Sequence, residues 1–209
     1  MTDQTSQRMD APKLLGDPAA RAARVAQLRE DHIAPLTDFV HALRDRVGTT
    51  AAVPFFDPWD AGVKAEILFL LEAPGAKAVA SGFVSRNNPD ETAKNFFELN
   101  EDAAIPRSRT IIWNIVPWYI GNGERIRPAD SSDIAAGSKP LLELLSLLPN
   151  LRSVVLVGRK AERAAPRILE ALPSIQLFRA PHPSPLFVNN RPGNRERILT
   201  VLRQVAASL

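Results

Sequence analysis

The sequence predicts an α/β fold: a three-layer α/β/α arrangement with a central four-stranded parallel sheet. Three observations carry this. Four short apolar runs, at residues 66–71, 110–116, 153–157 and 175–179, have the unbroken hydrophobicity of strands buried on both faces. Segments of helical periodicity separate them, and strands alternating with helices favour a parallel sheet covered on both sides. The chain has 209 residues, 45% hydrophobic and 23% charged, which is enough for one well-buried core.

Taken in order, residues 1–16 read as a flexible N-terminal tail and 17–209 as a single domain. Residues 19–47 have the apolar spacing of a helix that Pro35 kinks or divides and Gly48 stops. Residues 53–62, with Phe55, Phe56 and Trp59 among prolines, read as an aromatic loop. The first strand follows at 66–71. Residues 90–99 form a helix with Asp90 as its N-cap. After the strand at 110–116 comes an apolar helix at 139–148. Gly158 closes the strand at 153–157, a helix spans 159–172, and the strand at 175–179 leads to a last helix at 192–209 with Pro192 near its first turn.

Composition narrows the chemistry. The chain contains no cysteine, so disulfides, thiolate metal sites, Cys nucleophiles and Cys-held iron–sulfur clusters are excluded. The longest apolar run, residues 67–71, is too short to span a bilayer, and residues 1–10 are too polar for a signal segment, so a cytoplasmic location is expected. The net charge is +3 and the pI about 9.6, with Arg well in excess of Lys. That balance permits a nucleic-acid partner without requiring one. There is no Gly-x-Ser-x-Gly elbow, no Walker phosphate loop and no Gly-x-Gly-x-x-Gly after a strand, so a small-molecule α/β-hydrolase reading finds no support.

In open parallel sheets, ligands bind beyond the carboxyl ends of the strands. The unusual residues lie in those segments. Glu72 ends a hydrophobic strand, where a carboxylate is costly to bury unless it is bonded or used, and Pro74-Gly75 then forces a tight turn. A capping Glu before an ordinary turn is an equal reading of this segment alone. Asn114 lies near the end of the second strand; its amide can read a base edge, although a lone Asn more often satisfies local backbone. Residues 180–187, Ala-Pro-His-Pro-Ser-Pro-Leu-Phe, fix His182 and Ser184 between prolines and expose two large apolar side chains that can wedge between bases. Arg191, Arg195 and Arg197 follow, and with Arg159 and Lys160 at a strand end they are candidates for phosphate contacts. Arg21, Arg24, Arg29, Arg44 and Arg46 read as a solvated helix face, and His32 and His41 as surface residues.

These segments resemble a known family. His182-Pro183-Ser184-Pro185-Leu186 is similar to the second signature motif of the uracil-DNA glycosylase superfamily. Glu72-Ala73-Pro74-Gly75 resembles the first motif of its iron–sulfur branch, and Gly82-Phe83-Val84 resembles the stretch carrying a base-stacking Phe. The resemblance covers about residues 66–198, in the family's order. It implies an enzyme that flips uracil out of DNA and hydrolyses its glycosidic bond, acting as a monomer without cofactor or metal. It further implies Glu72 and His182 as catalytic residues, and Ala73, Gly75, Phe83 and Asn114 around the uracil. Phe83 would stack on the base and Asn114 bond its edge. Ser85, Ser184, Pro185, Leu186 and Arg191 would contact DNA, with the two serines on phosphates and Leu186 filling the gap in the duplex.

The chain departs from the pattern at three points. Ala73 stands where well-known members carry a catalytic Asp, which leaves Glu72 to handle the water. Gly75 stands where they carry a Tyr that blocks the thymine methyl. The cysteines of the iron–sulfur branch are missing, so packing around Phe55, Phe56 and Trp59, or Trp118 and Tyr119, must stabilise that region. Two alternatives follow: a glycosylase for other deaminated bases, or a binding protein for damaged or abasic DNA.

Overall fold

A computed structural model describes residues 9–48, 51–122 and 126–209. Its centre is a parallel four-stranded sheet built from β2 (Ile67–Leu71), β4 (Thr110–Asn114), β5 (Ser153–Val157) and β6 (Gln176–Ala180), in the order β4-β2-β5-β6. All five residues of β4 and of β5 are buried, as unbroken apolar runs require. β4 and β6 are the two edge strands; β4 is covered by its surroundings, whereas β6 is half exposed.

Helices cover both faces. α1 (Pro18–Ala26), α2 (Ala34–Val47), α5 (Ser131–Ser146) and α6 (Ala165–Ala171) lie in the chain with α4 (Glu91–Asp102) and α8 (Asn194–Ala207). α2 touches α5 and α5 touches α6, while α4 packs with α8. Aromatic contacts mark the two layers: Phe39 of α2 meets Trp113 edge-on at 6.0 Å, and Phe96 of α4 meets Phe69 edge-on at 4.9 Å. Phe56 stacks on Trp113 at 3.9 Å and seals the first layer.

The expected architecture is therefore present, and the differences are local. The long first helix is divided, but the break covers residues 27–33 and Pro35 sits in the first turn of α2, where a missing N–H is harmless. Of the expected tail, residues 1–8 lie outside the described residues. The rest is packed: Leu15 is fully buried and Asp10 pairs with Arg107 at 2.9 Å. The aromatic loop contains a strand, β1 (Phe55–Phe56), which runs parallel to β3 (Phe83–Val84). A short helix, α3 (Ala76–Ser81), fills the segment after Pro74-Gly75.

α5 begins eight residues before the expected 139. Asp130 accepts from the Ser132 and Asp133 N–H groups at 2.8 and 2.9 Å, and the Asp133 carboxylate accepts from the Asp130 N–H at 2.8 Å. This reciprocal cap nucleates a polar first turn that apolar spacing does not reveal. Asp90 caps α4 as expected, accepting from the Ala93 N–H at 2.9 Å. Gly137 lets α5 approach the end of β4, since a Cβ there would lie 1.9 Å from the Ile115 carbonyl oxygen.

Candidate functional site

The carboxyl ends of β2, β4 and β6 open into one cleft of about 440 Å³, within the usual range for small-ligand sites. Register explains the convergence. Leu71 of β2 pairs with Asn114 of β4, so Glu72 follows beside that amide, and His182 follows Ala180 at the end of β6. Glu72, Ala73, Gly75, Asn114 and His182, drawn from three separate segments, all line the cleft.

Each is held by its surroundings. Glu72 is half buried, and its Oε1 accepts from the Ala129 N–H at 2.6 Å, which leaves Oε2 for the cleft. Asn114 is 3% exposed, and its Nδ2 finds no partner among the described residues. Buried amide donors are seldom left unpaired, so this N–H₂ group at the edge of the cleft stands out. The His182 loop is tied down from α4, where Asn95 Nδ2 donates to the Pro183 carbonyl at 3.0 Å, and His182 Cβ packs on Gly158. Burial lowers the His182 pKa below its ordinary value of 6.5; Glu72 and Asp90 pull the other way and do not prevail. The imidazole is therefore neutral at pH 7. Gly75 caps α3 beside open space, with nothing within 4 Å of where its Cβ would be, so it excludes no base by bulk.

Three expectations need correction. Phe83 does not reach the cleft. Neighbouring strand residues face opposite ways, so Val84 faces the cleft while Phe83 is buried in a small separate core with Leu15 and Leu28. Val84 and Phe96 supply the apolar wall instead. Ser85 lines the cleft but is 6% exposed, and its hydroxyl donates to the buried Asp57 carboxylate, so it is not free to grip a phosphate. Ser184 caps the short helix α7 (Pro185–Val188), accepting from the Phe187 N–H at 3.3 Å, so the segment is stiff and extended only as far as Ser184.

Beyond Ser184 the loop turns outward. Pro185 opens α7 and Leu186 is 87% exposed. Arg191 is exposed, and its guanidinium has no partner among the described residues. Arg195 is taken by Asp102 and Lys160 by the Ala129 carbonyl. The arginines of the first helix are not a uniformly solvated face, because Arg24 is 1% exposed.

Arg24 belongs to a network that apolar patterning does not reveal. Asp57, fully buried, accepts from Arg24 Nε at 2.7 Å, Arg107 Nη2 at 2.7 Å and the Trp59 N–H at 3.0 Å, besides the Ser85 hydroxyl. Arg107 also reaches Asp60 at 2.8 Å, and the Arg24 guanidinium lies 3.1 Å from the centre of the Trp59 ring. The network holds Ser85 and Asn87, on a segment that lines the cleft. It joins the aromatic segment, so this region is stabilised by ion pairs as well as by packing. The sequence holds no thiolates for an iron–sulfur cluster, and the space around Trp59 is filled by charged and aromatic side chains.

Comparison with known proteins agrees with the geometry. The sequence profile described as Uracil DNA glycosylase superfamily matches residues 58–205, most of the chain. No curated protein matches the sequence. Among solved structures, wild-type SMUG2 of Pedobacter heparinus is 12% identical, with 87% of this chain and 86% of that one covered and a TM-score of 0.52. A Methanosarcina acetivorans protein provisionally named a uracil DNA glycosylase is 16% identical, with 68% of this chain and 92% of that one covered and a TM-score of 0.47. The extent of the profile match is decisive, and the chain belongs to the uracil DNA glycosylase superfamily.

Proposed function

We propose that the protein is a uracil-DNA glycosylase that extrudes uracil from DNA, hydrolyses its N-glycosidic bond and leaves an abasic site. The observation that carries this is Asn114: a buried strand-end amide with an unpaired Nδ2, in the same cleft as Glu72 and His182. An amide offers a donor beside an acceptor, which matches the O4 and N3–H of uracil. Val84 and Phe96 pack against the base. The bond from C1′ to N1 breaks with both electrons going to the base, and a neutral His182 donates toward the negative charge gathering on O2. Glu72 faces the cationic sugar and orients the water that adds to C1′, accepting its proton.

The open wall at Gly75 favours a second reading, in which larger deaminated bases also enter. One panel of oligonucleotides tests both: single-stranded U, U opposite G, U opposite A, T opposite G, and hypoxanthine opposite T, with alkali to reveal abasic sites. Cleavage of the uracil strands is the expected result, and added cleavage of hypoxanthine supports the wider pocket. No cleavage of any strand, with DNA binding retained, overturns the enzyme reading in favour of a damage-binding protein.

Leu186 has a separate expected effect. It projects from the loop that carries His182 and would fill the space an extruded base leaves. Leu186→Ala is expected to lower kcat/KM on duplex DNA by on the order of tenfold while leaving single-stranded DNA nearly unchanged, because unstacking is needed only in the duplex. Equal loss on both substrates would remove the wedge role.

A further inference from the structure

A second groove, of about 750 Å³, lies on the far side of the His182 loop. His182 itself lines both cavities, so only the thickness of that loop separates them. Gly158, Arg159, Arg179, Phe187, Arg197 and Thr200 line the groove, and Glu162 is its one acidic residue.

The state of its arginines sets it apart. Among the described residues, every arginine but three donates to a carboxylate, a carbonyl oxygen or a hydroxyl. The exceptions are Arg159, Arg179 and Arg191. Two of these line the groove, and the third follows on the segment between α7 and α8. Arg197 has only the Asn194 side-chain oxygen, at 3.3 Å, and its guanidinium lies 5.6 Å from the centre of the Phe187 ring. Three guanidiniums against one carboxylate leave a surplus of positive charge in a concave wall. Exposed, unpaired guanidiniums are suited to phosphodiester oxygens, which they bind through a planar fork.

We propose that this groove is a phosphodiester channel that holds the backbone of the DNA strand flanking the extruded nucleotide. This rests on the reading of the cleft as a DNA-base site. A nucleotide in that cleft remains attached to its strand, and the His182 loop, which lines both cavities, offers that strand a path into the groove. The groove begins there, and its charge is of the sign that backbone needs. Half-exposed Phe187 adds a face against which a flanking base can stack.

The test uses uracil-free single-stranded DNA, so that it does not depend on excision. Binding of a labelled 15-mer is followed by fluorescence anisotropy across a salt series, for the wild type and for the Arg159→Ala/Arg179→Ala double variant. Both side chains are exposed, so folding is expected to survive, and a matching thermal melt checks this. Arg167→Ala, paired with Glu170 elsewhere on the surface, is the control. The slope of log K against log salt is expected to shrink by about 1.4, roughly 0.7 for each phosphate that the double variant no longer neutralises, with the control unchanged. An unchanged slope overturns the proposal, and so does an equal fall in slope for the Arg167→Ala control, which would mean diffuse attraction without a channel. Absence of excision with these results intact would refute the glycosylase reading and leave the channel standing.

Discussion

Asp57→Ala is expected to destabilise the protein by about 3–5 kcal/mol, a large share of the roughly 5–15 kcal/mol that holds a typical domain together. The carboxylate is fully buried and lies between Arg24, which is 1% exposed, and Arg107. Removing it leaves two interior guanidiniums without their shared counter-charge. Burial by itself would raise the Asp57 pKa; Arg107 and Arg24, with the Ser85 hydroxyl and the Trp59 N–H, outweigh burial and hold it below the unfolded value of 3.8. A carboxyl with a depressed folded pKa contributes stability above the unfolded pKa and loses it as pH falls through the folded one. Wild-type stability should therefore drop steeply below about pH 4. Asp60 acts in the opposite sense: burial raises its pKa to about 6, so its contribution declines as pH rises from 3.8 to 6. Denaturant midpoints at pH 7 and pH 4 measure the Asp60 effect, and midpoints at pH 4 and pH 3 the Asp57 effect. A loss below about 1 kcal/mol for Asp57→Ala at pH 7 would mean that the network relaxes to pair its arginines elsewhere.

That network also marks the limit of what the sequence reveals. Apolar runs locate all four strands of the main sheet, because burial on both faces leaves no polar position to blur the pattern. Fixing the strands fixes their ends, and the strand ends single out Glu72, Asn114 and His182 without any knowledge of how they converge. Phe83 escapes this logic. Its motif suggests a stacking role, but β3 is two residues long, and in so short a strand only the three-dimensional register decides which side chain faces the cleft. The buried arginines are illegible because charge in a helical sequence ordinarily means a solvated face. Only the position of Asp57, 33 residues beyond Arg24, turns that side chain inward. The Asp130 and Asp133 pair, by contrast, carries a readable capping signal that apolar spacing overshadows.

His182→Ala is expected to lower the single-turnover excision rate by about 10²–10³, the usual effect of losing one preorganised donor to developing negative charge. Its pH dependence separates this role from a structural one. Burial depresses the imidazole pKa, so the donor stays neutral through pH 6.5 and the rate should hold until pH falls below that ordinary value. The same shift weakens the fold on the acid side: below pH 6.5 the unfolded chain takes up the proton before the native one does. Rate and stability must therefore be measured together, on enzyme whose thermal melt is intact. Glu72→Gln keeps the acceptor for the Ala129 N–H and removes only the charge, so a fall of about 10²–10⁴ in rate without loss of DNA binding would identify it as the residue acting on water and sugar. Asn114→Ala should act earlier, raising KM for uracil strands and leaving affinity for uracil-free DNA unchanged, because in the proposed function Nδ2, which has no partner among the described residues, donates only to an extruded base. If His182→Ala retained half the wild-type rate, or if the acid limb lay above pH 6.5, the departing base would have to be stabilised by another group in the cleft.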